Sequence, residues 1–109
     1  MRARYPLIAA AILMAAAPVA LSASQHEAAD AFRTAMNKMH QAMPMEFTGQ
    51  ADVDFVKSMI PHHQGAIDMA KVELQYGKDP KLREMAKEII AAQEKEIAEM
   101  QAWLKANGS

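Results

Sequence analysis

The stretch "YGKDP", residues 76 to 80, constrains this chain more than any other. Gly77 stops a helix, Asp79 caps the start of the next, and Pro80 suits the first helical position, where a missing N–H costs nothing. On either side run long segments whose apolar residues recur at helical spacing. Val56, Met59, His63, Ala66, Ile67, Ala70 and Leu74 form one stripe before the stop, and Leu82, Ala86, Ile89, Gln93, Ile97, Met100 and Leu104 another after it, at about 100° per residue. No segment alternates with period two and β-branched residues are sparse, so an all-α fold is expected. The second helix is expected from Asp52, as N-cap, to Tyr76, and the third from Asp79 to Asn107 and Gly108. A first helix fits Ser24 to Met43, with Ser24 and Glu27 as a capping box and Pro44 as its stop. Short links make sequential helices antiparallel, and the expectation is a small antiparallel helical bundle of three main helices.

Arg2 and Arg4, the run "YPLIAAAILMAAAPVAL" and the small residues "SAS" follow the order of a secretory signal peptide. Residues 1–23 are therefore expected to be removed, leaving residues 24–109 as one helical domain; an uncleaved N-terminal anchor is the alternative. A single core is only marginally sufficient at that size, and surplus apolar surface would allow a homo-oligomer. The absence of cysteine excludes a disulfide framework, a cysteine zinc site and a thiol nucleophile. Twelve Lys and Arg against thirteen Asp and Glu, without a basic cluster, argue against nucleic acid as a partner. Ten methionines are the compositional excess.

That excess gathers around "MIPHHQGAIDMA", residues 59 to 70. Met59, His62 and His63 stand at i, i+3 and i+4, so one helical turn can reach one ion. His62, Met69 and Glu73 flank the second-helix stripe, and Met85, Glu96 and Trp103 flank the third. Pro61 is expected to kink the helix or begin a new segment, and Gly65 to admit a neighbouring helix closely. With the turn centred near Lys78, residues whose numbers sum to about 156 lie level. His63 then faces Gln93, Met59 and His62 approach Glu96 and Met100, and Met69 approaches Met85. The first helix brings Met36, Met39, His40 and Met43, from "MNKMHQAM", toward Met59. Methionine on a helix stripe is ordinarily core filler, and a histidine there an ordinary buried group. Their coincidence favours ligation. Thioether sulfur is soft and neutral, which points to Cu(I) and Ag(I) rather than Zn(II) or iron; Cu(II) can bind by imidazole at His40 or at His62 and His63.

Residues 52 to 104, carrying "MIPHHQGAIDMA" and "IIAAQEKEIAEMQAWL", resemble the family catalogued as domain of unknown function 305, the CopM-like proteins of bacterial envelopes. The resemblance implies a ferritin-like helical bundle that binds copper, and often silver, in the periplasm and contributes to metal tolerance. The motif falls on Met59, His62, His63, Met69 and Met100, with Gln93 and Glu96 as further signature residues. The expected function is copper sequestration, delivery or tolerance, with metal ions and a copper exporter or other envelope copper protein as partners. A ferritin-like di-iron protein is a competing reading, but the residue three before His62 is Met59, and no histidine carries the Glu-x-x-His spacing of such centres. A helical adaptor with a methionine-rich binding face is the other. No nucleophile, base and orienting group can be assembled, so an enzyme is not expected.

Overall fold

The computed structural model describes residues 15–108. Three helices make up the fold: α1 (Ala23–Ala42), α2 (Ala51–Tyr76) and α3 (Pro80–Ala106), with no strand among the described residues. The first part of the expected signal peptide, residues 1–14, lies outside the described residues, and residues 15–21 are exposed and without regular structure. No helix among the described residues is long and apolar enough to cross a membrane.

Capping chemistry sets the helix ends, with two corrections to the expected boundaries. At α1 the cap is Ser22, not Ser24: the Ser22 hydroxyl accepts from the Gln25 backbone N–H at 3.2 Å, and the Gln25 side chain accepts from the Ser22 N–H at 2.8 Å. The sequence carries two overlapping boxes, and the earlier one extends the helix further. At α2 the N-cap is Gln50, which makes no side-chain cap bond. Asp52 lies inside the first turn. The carboxylate that organises this end is Asp54, whose Oδ1 accepts from the Thr48 backbone N–H at 2.9 Å and the Thr48 hydroxyl at 2.8 Å, while Oδ2 accepts from the Gly49 N–H at 2.9 Å. Gly49 has φ +86°, a left-handed conformation that favours glycine. These bonds hold the Asp54 carboxyl below its ordinary range, the Thr48 backbone N–H contributing most among them.

The hairpin forms where its signals stand. Gly77 caps the end of α2 and Asp79 Oδ1 accepts from the Leu82 N–H at 2.9 Å. Arg83 closes the turn by donating to the carbonyls of Leu74 at 2.6 Å and Gly77 at 3.0 Å, which satisfies carbonyls that a helix end leaves free. Pro61 does not begin a new segment, because α2 runs through it from Ala51 to Tyr76.

α2 is the central helix. Both α1 and α3 pack on it, and they make no close backbone contact with each other. The buried set is accordingly thin: Ala35, Val53, Val56, Gly65, Ile67, Ala70, Val72 and Ala86, of which Ile67 alone is a large side chain buried almost completely. Leu82, expected in the α3 stripe, is 49% exposed. At Gly65 a Cβ would lie 2.5 Å from Met39 Sδ and 3.0 Å from Met39 Cβ, so the absence of a side chain there sets how closely α1 approaches. Lys38 Nζ stands 3.7 Å from Asp68 across the same contact, and the Gln64 amide donates to Asp68 at 3.1 Å.

Candidate functional site

Two cavities follow the groove between α2 and α3. Near the hairpin, a cavity of 350 Å³ is lined by Met69, Glu73, Met85, Ile89 and, from α1, Phe32. Toward the far end, a cavity of 420 Å³ is lined by Phe55, Val56, Met100 and Trp103, with the carboxylates Asp52 and Glu99 at its rim. Between them His63 reaches across from α2 and pairs through Nε2 with Glu96 on α3. The His63 side chain is 15% exposed and its Nδ1 is buried without a hydrogen-bond partner. His62 is exposed, its ring centroid 6.4 Å from that of His63 in an edge-to-face arrangement.

His63 was expected to face Gln93, and it meets Glu96 instead. The physical reason is side-chain lean. Every Cα–Cβ bond of a helix tilts toward its N-terminus. In an antiparallel pair those tilts are opposed, so side chains meet when their residue numbers sum to more than those of backbone-level pairs. Ala70 and Ala86, which sum to the expected value, line one cavity together. His63 and Glu96 sum to three more.

The ten candidate ligands therefore divide into groups. Met69 and Met85 line one cavity. Met100 lines the other, and Met59, half-buried, stands one turn from Phe55 and one turn from His63 on α2. Met39 points at Gly65 and lines a separate groove of 350 Å³ on the opposite side of α2, with Lys38, Ile60, Pro61 and Ile97. Met36 and His40 are exposed, and Met43 is half-buried at the C-cap of α1. Met45, just beyond it, is 97% exposed in the α1–α2 loop. Among the described residues no three His, Asp or Glu side chains converge as a cage for an ion.

Sequence comparison places the chain. Residues 9–104 match the family described as Domain of unknown function (DUF305). The chain belongs to that family. A stretch of 53 residues is also 42% identical to an uncharacterized protein of Acanthamoeba polyphaga mimivirus, covering 49% of this chain and 35% of that protein. The chain thus aligns with about a third of the length of that curated relative.

The signal that would have found Glu96 as the partner of His63 is present in the sequence. It lies in the N-terminal lean of helical side chains, which a level-by-level count of the hairpin leaves out.

Proposed function

We propose that this protein binds a soft monovalent metal ion, Cu(I) and with it Ag(I), in the α2–α3 groove, and that it serves copper sequestration, delivery or tolerance in the periplasm. The single observation that carries this reading is the state of His63. A histidine that donates through Nε2 to a carboxylate presents a lone pair on Nδ1, and a carboxylate–histidine pair of this kind orients and strengthens the imidazole as a ligand. Here Nε2 is paired with Glu96, and Nδ1 is buried and unpaired. A polar atom left so is costly unless something binds it.

The neighbours supply the rest of the donor set. The offset that joins His63 to Glu96 also joins Met59 to Met100, one turn further along both helices, since both pairs sum to the same value. Two thioethers and an imidazole suit Cu(I), whereas Zn(II) prefers imidazole, thiolate or carboxylate and finds no such cage here. His62, on the next position of α2, offers a second imidazole from the solvent side. Met69 and Met85 form a separate thioether pair: Met69 lies about 10 Å along α2 from His62 at the helical rise per residue.

The test is a competitive Cu(I) titration of the wild type and of Met59→Leu, Met100→Leu and His63→Ala, alongside their thermal melts. Leucine nearly conserves the volume of methionine but has no lone pair to offer. Both leucine variants are expected to melt within a few degrees of the wild type and to bind Cu(I) more weakly. Unchanged affinity in all three variants refutes the reading, as does displacement of Cu(I) by an equal concentration of Zn(II).

A further inference from the structure

We infer that a second copy of this chain packs over the open face of the three-helix layer, the face that carries Phe32, Met36, Phe55, Leu82 and Met85. Helical proteins are built from elements that bury an apolar stripe against a second layer. Here α1 and α3 both spend their contacts on α2, so each side of α2 is left as a groove floored by that helix. The two sides are unlike. The side with Met39, Ile60, Pro61 and Ile97 also carries Lys38, Gln64, Asp68 and Gln101 and is crossed by the Lys38–Asp68 pair. The other has its large apolar side chains exposed.

On that apolar side Phe32 of α1 and Leu82 and Met85 of α3 line one cavity with Met69 of α2. Met36 lies one turn beyond Phe32, and Phe55 falls on the same stripe of α2 as Ala66 and Met69 by helical phase. These five residues are 38%, 44%, 62%, 49% and 46% exposed in the order Phe32, Met36, Phe55, Leu82, Met85. Together they leave on the order of 450 Å² bare, taking roughly 200 Å² for a large side chain fully exposed. That is already the size of the largest patch on a typical monomer, about 300–600 Å². A stable interface takes roughly 800 Å² from each partner, so these five side chains supply about half of it.

Charge argues against an anionic lipid surface as the occupant of this face. The charged groups on or beside this face include Glu73, Glu96, Asp52 and Glu99, whereas a helix face that lies on anionic lipid carries lysine and arginine around its apolar residues. A two-fold rotation, the symmetry of most homodimers, sets this apolar face of one copy against the same face of the other. Face-to-face packing would give six helices in two layers and a core that one copy lacks.

The test uses the chain as the cell processes it, in buffer with chelator so that metal plays no part, by light scattering and native mass spectrometry over a dilution series. A dimer is expected. Phe55→Lys and Met85→Lys should each weaken it by about tenfold or more, as for a central residue of an interface, with helical content by circular dichroism unchanged. Gln101→Lys, in the groove on the opposite side, should leave it intact. The absence of cysteine allows a second readout: Leu82→Cys should give a covalent dimer with a short bifunctional maleimide, and Lys38→Cys should not. A monomer at every concentration overturns the inference. So does a dimer that Gln101→Lys breaks and the two apolar-face variants leave alone.

Discussion

Replacing Gly65 by alanine should loosen α1 from α2, and the structure sets the size of the effect. A Cβ at position 65 would stand 2.5 Å from Met39 Sδ, 2.8 Å from Met39 Cγ and 3.0 Å from Met39 Cβ. The sulfur and Cγ belong to a flexible side chain and can rotate away, but Cβ is fixed to the backbone of α1. Either the helices separate by a few tenths of an ångström or Met39 gives up its place, and both lose packing. Overpacking of this kind costs typically ~1–3 kcal/mol. Alanine inside a helix returns about 1 kcal/mol over glycine. The net expectation is a loss of roughly 0–2 kcal/mol, or a fall of several degrees in melting temperature for a domain of this size. Because that range touches zero, the decisive measurement is a double-mutant cycle by chemical denaturation. Met39→Gly removes the sulfur, Cγ and Cβ together, so Gly65→Ala in that background should be stabilising, with a coupling between the two of about 1 kcal/mol or more. Additive effects, or a stabilising Gly65→Ala with Met39 in place, would refute the close-approach argument.

Three further outcomes follow. Asp54→Asn should weaken the α1–α2 loop at neutral pH: the folded carboxyl lies below the ordinary 3.8, so its stabilisation is complete above that value and is lost as pH falls through the lower folded value. The difference in denaturation midpoint between wild type and variant should therefore shrink on acidification below about pH 4, and a constant difference counts against it. Asp79→Ala should cost about 1 kcal/mol by loss of the α3 N-cap bond to Leu82, read in a urea melt, with no change in metal binding. Met69→Leu, if the Met69–Met85 cavity is a second thioether site, should remove one bound Ag(I) in native mass spectra while leaving affinity at the His63 site unchanged; loss of all bound metal would mean a single shared site.

The hairpin was legible because its determinants are local. Gly77, Asp79 and Pro80 act within a few bonds of the positions they specify, and the α3 cap forms where the sequence puts it. The N-terminal ends of α1 and α2 were less legible because each offers competing signals. Ser22 and Ser24 both precede a residue able to close a capping box, and Asp52 and Asp54 both stand where an acidic side chain can reach free N–H groups. Which wins depends on the loop before them, and Asp54 wins because Thr48 and Gly49 turn three donors toward it. The open packing was legible only as an expected surplus of apolar surface, not at particular positions. Stripe analysis assumes that every apolar position finds a partner, and Leu82 shows that a stripe can end at the surface of its own chain.

The same openness bears on why methionine and histidine lie where they do. A metal ligand in a tight core must break packing to be loaded and emptied, and the fold would then share the fate of the ion. Here the buried residues are aliphatic, and every candidate donor is half-buried or exposed: His63 is largely covered, His62 is open, and Met59, Met69 and Met100 line or adjoin grooves that solvent reaches. The scaffold, built on Ile67, Val56, Ala70 and Ala86, is therefore expected to stand without the ion. If the groove holds copper, removal by chelator should leave helical content unchanged and lower the melting temperature only by the binding free energy. That contrasts with small structural zinc domains, which unfold when stripped. Loss of helix by circular dichroism on chelation would show instead that the ion is part of the core, and that the thin buried set seen here is insufficient alone.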